Sequence, residues 1–283
     1  MLSRYNKLFV QAERYRSDSE NGTYAFAVLD ALRSQKKFDN FKTNKAYRSI
    51  LEHVSEDQGA AYLEILRTRN DGMLEMGLST VLKSDYIGNP IKYNYTGVSI
   101  PLSPTTLRYL KVTSDLKTLF GIKLGNVAEI GGGYGGQTLV NDQLLSVDQV
   151  KIFDLTIVNK LIDRYLNSHL MNGAFKTTFI NNEKPCDYDL VISNYAFSEL
   201  PTDVQKVYIR KVLSKSLRGY LTMNSGLGCP RSRGKLSLSE LRDELPNFEV
   251  FEESPLTSDY NYIICWGHKM QQSNTSFTKK QID

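Results

Sequence analysis

The run Glu129-Ile130-Gly131-Gly132-Gly133-Tyr134-Gly135-Gly136 limits what this chain can fold into more than any other segment. It holds five glycines in eight residues, directly after the apolar pair Val127-Ala128. A strand that ends in such a turn and passes into a helix presents bare backbone N–H groups and a helix N-terminus to one ligand. Any Cβ there would hold the ligand off the main chain. A tight turn alone requires fewer glycines. Turns of this kind belong to the strand–turn–helix units of a largely parallel α/β sheet.

The sequence downstream has the same character. Strands are predicted at Asn126–Ile130, Lys151–Leu155, Thr177–Asn181, Asp189–Asn194 and Gly219–Asn224. Val158, Leu161, Ile162, Tyr165, Leu166 and His169 recur at helical spacing between the second and third, which makes His169 a core residue. Thr202-Asp203-Val204-Gln205 reads as a capping box that opens a helix with Val204, Val207, Tyr208 and Val212 inward. A helix near Ser239–Leu245 and two β-rich runs, Phe248–Phe251 and Tyr260–Trp266, predict a terminal antiparallel pair joined by a turn through Pro255. The polar stretch 269–283 is expected to be a flexible tail.

Ahead of the glycine turn, Tyr24, Val28, Leu29 and Leu32, and again Tyr62, Ile65 and Leu66, repeat at helical spacing. Residues 1–102 are therefore read as a helical N-terminal cap and substrate region, and 103–268 as the cofactor-binding domain. Ser103 is placed as the N-cap of a helix with Pro104 at its first position. Residues 1–126 carry 18 Lys and Arg against 13 Asp and Glu, and the remainder 17 against 18. That excess is too diffuse for a nucleic-acid-binding stripe; it is a solvated surface or a face that receives an anionic substrate. Cys186, Cys229 and Cys265 have neither disulfide-framework nor metal-ligand spacing, so no metal is expected and a reducing cytoplasm fits. No apolar run approaches the roughly 18 residues of a membrane span, and the first residues lack a signal-peptide pattern, so a soluble chain is expected.

The spacing Gly131-x-Gly133-x-x-Gly136 also satisfies the dinucleotide fingerprint, so the turn alone admits either a nicotinamide cofactor or S-adenosylmethionine. Asp154, at the end of the second strand, can accept the ribose hydroxyls of both. Glu129 favours S-adenosylmethionine, because it stands inside the first strand where dinucleotide folds carry an apolar residue. Asp187-Tyr188-Asp189-Leu190-Val191-Ile192-Ser193-Asn194 adds an acidic start, a buried strand and a polar end at the crevice. The predicted cofactor set is Glu129, Gly131, Gly132, Gly133, Gly135, Asp154, Leu155 and Asn194. Asn181 is placed near the adenine, and Arg108 pairs with the cofactor carboxylate or with an anionic substrate.

The run Val127 to Gln137, with Asp154-Leu155 and Ser193-Asn194-Tyr195-Ala196-Phe197-Ser198-Glu199-Leu200, resembles the bacterial sugar O-methyltransferase family. Ile87-Gly88-Asn89-Pro90, Ser103 to Tyr109, Arg218-Gly219-Tyr220 and Asn261 to Gly267 extend the resemblance over roughly residues 50–267. It implies a Rossmann-like class I methyltransferase sheet, and a saccharide hydroxyl as acceptor in surface polysaccharide synthesis. The family often has proline after the Asp-Leu pair, where Thr156 stands here.

A sugar hydroxyl attacks poorly without a base. Glu199 is the candidate, since the loop leaving the fourth strand passes beside the transferred methyl, and partial burial would raise its pKa. Its alternative role is support of the next helix N-terminus. Tyr134 is placed at the methyl site or in packing. His53 reaches the site only if the cap folds over the crevice, and His268 is expected to be exposed. Arg231, Arg233 and Lys235 lie in a loop that either is solvated or closes over a phosphate-bearing sugar.

Overall fold

The computed structural model describes residues 22–171, 173–228, 232–245, 247–268 and 277–281. The N-terminal part is helical: α1 (Thr23–Leu32), α2 (Gln35–Phe38), α3 (Lys45–Arg48), α4 (Glu56–Arg69), α5 (Met73–Ser84) and α6 (Pro104–Phe120). Strands and helices then alternate: β1 (Lys123–Ile130), α7 (Gly136–Leu144), β2 (Ser146–Phe153), α8 (Thr156–Asn167), β3 (Ala174–Thr178), β4 (Leu190–Asn194), α9 (Ala196–Glu199), α10 (Thr202–Lys211) and β5 (Gly219–Met223). The chain continues through α11 (Leu238–Glu244), β6 (Glu249–Glu252) and β7 (Tyr262–Trp266). Among the described residues no helix is long and apolar enough to cross a membrane.

The seven strands lie in the order β3-β2-β1-β4-β5-β7-β6, with the first five parallel and β7 antiparallel to both neighbours. This is the expected Rossmann-like sheet with its terminal antiparallel pair. The chain winds outward from β1 to β3, then returns to place β4 on the other side of β1. The crevice at that reversal, outside the carboxyl ends of β1 and β4, is where such sheets take ligands.

Along β1, with a register shift at Gly125, Leu124 and Val127 enter one core and Ala128 and Ile130 the other. The first core also takes Tyr24, Val28, Phe38, Phe41, Tyr47 and Leu63 from the N-terminal helices, so the cap and the sheet share one apolar interior. Lys42 is 1% exposed; its Nζ donates to the Ser84 carbonyl (2.9 Å) and lies 4.1 Å from the centroid of the Tyr134 ring.

Local chemistry moved several boundaries. Helix α6 begins at Pro104 with Ser103 at the N-cap position as predicted, but the Ser103 side chain makes no capping bond; Asp85 ties the helix start down, accepting from Ser103 N (3.1 Å) and Thr106 Oγ1 (2.7 Å). The predicted capping box at Thr202 does not form. Pro201 takes the N-cap position, and Gln205 turns inward, donating Nε2 to the Phe197 carbonyl (3.0 Å) and accepting from Leu236 N (2.8 Å). Strand β2 starts at Ser146, because its solvated first half carries no apolar signal. The predicted strand Thr177–Asn181 is β3, ending at Thr178, followed by a 3₁₀ turn over Ile180–Asn182. Within the tail expected to be flexible, residues 277–281 lie along β6: Glu252 N donates to Thr278 O (2.9 Å), Lys280 N to Val250 O (3.0 Å), and Phe277 packs on Phe251.

Candidate functional site

A cavity of about 600 Å³ opens at the carboxyl ends of β1, β2 and β4, roofed by the N-terminal helices. At one end the glycine turn reverses the chain with Gly131 (φ 79°), Gly133 (φ 60°) and Gly135 (φ 92°) in the left-handed region that only glycine adopts cheaply. Gly131 N donates to the Phe153 carbonyl (2.9 Å), which fastens the turn to the end of β2. A Cβ on Gly131 would collide with that of Ala196. Of the predicted glycines, Gly131 and Gly133 line the cavity. Gly132 instead makes room for Ile152 and Ile162, and Gly135 for Leu166, so these two serve packing beneath the turn.

Asp154 is half-buried beside the turn, its Oδ2 accepting from Gly133 N (3.1 Å) and its Oδ1 from Leu155 N (2.7 Å). Burial pushes its carboxyl up to about 6, partly offset by backbone N–H groups of Leu155, Gly133 and Gly132. Leu155 and Asn194 also line the cavity. Asn181 does not: it is exposed on the 3₁₀ turn, and Phe179 and Ile180 take its place in the wall.

Glu129 sits beneath the turn and away from the cavity, 2% exposed, with the Thr138 hydroxyl donating to its Oε2. Burial raises its carboxyl to about 8, so it is largely neutral near pH 7. The same alternation that turns Val127 toward α7 turns Glu129 there, which explains why it misses the ligand side. Of the two roles open to Tyr134, the methyl site or packing, the structure gives it packing. Its ring is fully buried in an aromatic cluster with Phe41, Tyr109 and Tyr165, with centroid separations of 5.6, 6.0 and 4.9 Å.

The loop leaving β4 starts beside the glycine turn at Ala196 and carries the cavity wall on to Glu199, Leu200 and Pro201. Ser193 Oγ donates to the Ile130 carbonyl (2.9 Å) and accepts from Phe197 N (3.1 Å), tying this loop to the glycine turn. Glu199 lines the cavity, half-buried, and its Oε1 accepts from Asn224 Nδ2 (2.9 Å) at the end of β5. Tyr195, with φ 68°, holds a conformation unusual for an aromatic residue and donates its hydroxyl to Glu253 Oε1. Glu253 is fixed in turn by Thr257 N (2.8 Å), Thr257 Oγ1 (2.6 Å) and Asn261 Nδ2 (3.0 Å) on its Oε2.

The cap does fold over the crevice, and it brings His53 to the cavity wall together with Tyr24, Leu51, Gln58 and Tyr62. Tyr24 and Leu51 stand against the Asp154–Gly133 end, so the cap covers the predicted cofactor end as well as the acceptor end. Arg108, from the first turns of α6, is also in the wall. His169 packs at a tilt against Tyr165 beyond α8, and burial lowers its pKa to about 4. His268 packs on Phe251 and is not the open side chain expected. Arg233 is exposed away from the cavity wall, Lys235 is outside the wall, and Arg231 and Cys229 lie outside the described residues.

No family model matches the chain, and no curated protein does. Among solved structures it is similar to magnesium protoporphyrin IX methyltransferase of Synechocystis with bound SAH, at 15% identity over 70% of this chain and 97% of that one, TM-score 0.43. It is also similar to a SAM-dependent methyltransferase of Aquifex aeolicus, at 15% identity over 56% and 95% of the two chains, TM-score 0.41.

Proposed function

We propose that this chain is an S-adenosylmethionine-dependent O-methyltransferase whose acceptor is a sugar hydroxyl, on a nucleotide sugar or a surface-glycan precursor. The observation that supports it is the two-ended cavity: a bare glycine backbone and a half-buried carboxylate at one end, and a carboxylate among amides and hydroxyls at the other. Its volume of about 600 Å³ suits a cofactor and a small acceptor together.

The residues fit the cofactor. Gly131 and Gly133 offer main chain without Cβ atoms, and Asp154, already oriented by two N–H groups, takes the ribose hydroxyls on its remaining lone pairs. Asn194 lies between this end and the acceptor. The bound cofactor supplies a methyl group on a sulfonium. The protein aligns the acceptor oxygen with that methyl and removes its proton. Glu199 receives the proton on its carboxylate, which Asn224 holds in place. The hydroxyls and amides of Gln58, Thr257, Ser258 and Asn261 suit a polyol.

Calorimetric titration with S-adenosylhomocysteine (SAH) and with NAD tests the cofactor. Release of SAH from S-adenosylmethionine in the presence of nucleotide sugars and glycan fragments tests the acceptor. Binding of the first ligand and sugar-dependent release support the reading; binding of NAD alone contradicts it.

A further inference from the structure

We infer that Arg108 forms an anion subsite in the acceptor half of the cavity, so that the sugar accepted is an acidic one bearing a carboxylate or a phosphate. This deepens the methyl-transfer reading above and rests on it.

Arg108 reaches the cavity wall from α6, and its Nε is buried without a partner. Among the described residues no carboxylate lies within ion-pair distance of its guanidinium. Its surroundings are phenols: Tyr109, whose ring centroid is 5.5 Å away, with Tyr195 and Tyr62. The carboxylate behind Tyr195 is already answered, since Glu253 accepts from Tyr195, Thr257 and Asn261. The other acid nearby, Glu52, is not within ion-pair distance, and burial raises its carboxyl above the ordinary range against the pull of Lys42 and of Arg108 itself. A half-buried guanidinium in a cavity wall, with a buried Nε left unbonded and no ion pair, keeps donors free, and its planar fork matches a carboxylate or phosphate with two parallel hydrogen bonds.

The position favours the acceptor. Around Asp154 stand Tyr24, Tyr47, Tyr208 and Glu129; Arg108 shares Tyr109 with Tyr24 and Tyr47, but its other phenols, Tyr62 and Tyr195, also face Glu253. Arg108 therefore reaches the Glu253–Asn261 wall, with Tyr109 shared between it and the ribose end. The competing source of the same chemistry is the carboxylate of the cofactor itself.

The test is calorimetry on protein saturated with SAH, titrated with glucuronate, glucose 6-phosphate and glucose. The expected result is that at least one anionic sugar binds about tenfold or more tightly than glucose, as a charge-assisted bidentate contact requires. In Arg108→Met the preference should vanish while SAH affinity stays within about threefold, and Arg108→Lys should keep part of it. Equal binding of anionic and neutral sugars by the unaltered protein overturns the inference without recourse to any variant. So does a loss of about tenfold or more in SAH affinity in Arg108→Met with 5′-methylthioadenosine affinity unchanged, since that ligand lacks the amino-acid carboxylate. Failure of the unaltered protein to bind SAH breaks the methyl-transfer reading itself.

Discussion

At the Gly131 end of the cavity, the proposed recognition rests on the bare main chain of Gly131 and Gly133 and on the Asp154 carboxylate, beneath Tyr24 and Leu51 of the cap. At the Glu199 end it rests on side chains delivered from α4, α6, the loop after β4, the end of β5 and the segment before β7. The first end is rigid by construction, because β1 and β2 are hydrogen-bonded along their length and Gly131 is fastened to Phe153. The second is a set of loops held by side-chain bonds such as Tyr195–Glu253 and Asn224–Glu199. A scaffold of this kind keeps its cofactor end fixed while the acceptor end varies by loop replacement.

The two ends should separate in their response to substitution. Glu199→Gln is expected to lower turnover by about a hundredfold or more and to leave SAH affinity within about threefold, since it removes a base and touches nothing at the glycine turn. Turnover and calorimetry on the same preparation check this; a parallel fall in both would erase the distinction. At the other end, Asp154 has its carboxyl raised to about 6, and only the ionised form accepts from both ribose hydroxyls. Affinity for SAH should therefore rise severalfold to about tenfold between pH 5 and pH 7 and level off above. The stability term has the opposite sign. Because the folded value lies above the unfolded 3.8, the contribution of Asp154 is full below about pH 4 and is lost as pH rises through about 6, which thermal melts without ligand will register.

A smaller effect is expected from Gly131→Ala. Its left-handed backbone costs an alanine about 1–2 kcal/mol, and the new Cβ meets Ala196. A melting temperature lowered by several degrees, with weaker SAH binding, is the predicted outcome. The smallest belongs to Tyr134→Phe. The ring is fully buried away from the cavity, so turnover should stay within about threefold, and a large loss would return Tyr134 to the acceptor site.

The difference between the ends also explains what could be read from the sequence. The glycine turn and Asp154 are local features of one strand–turn–helix unit and the strand after it, and the order of elements fixed the sheet and its terminal pair. Glu129 and Tyr134 were recognised as part of that unit, but the direction of each side chain depends on strand alternation and on the aromatic cluster contributed by Phe41 and Tyr165, which are remote in sequence. Asn181 was misplaced because the polypeptide leaves β3 three residues earlier than the apolar pattern suggested. The acceptor end was legible only in Glu199 and Arg108. Asn261 lay in a stretch that resembled the methyltransferase family, without any sign that it would clamp Glu253, and nothing local marked Tyr62, Asn224 or Thr257 as neighbours. His53 depended wholly on whether the cap covered the crevice, a tertiary fact set by the shared core.

The most direct test of the two-ended cavity is calorimetric titration of SAH into the unaltered protein, Asp154→Asn and Glu199→Gln at pH 7.5. Binding by the unaltered protein, a loss of about 30-fold to 100-fold in Asp154→Asn, and retention within about threefold in Glu199→Gln are predicted. Binding that is indifferent to Asp154, or that falls equally in both variants, would contradict it.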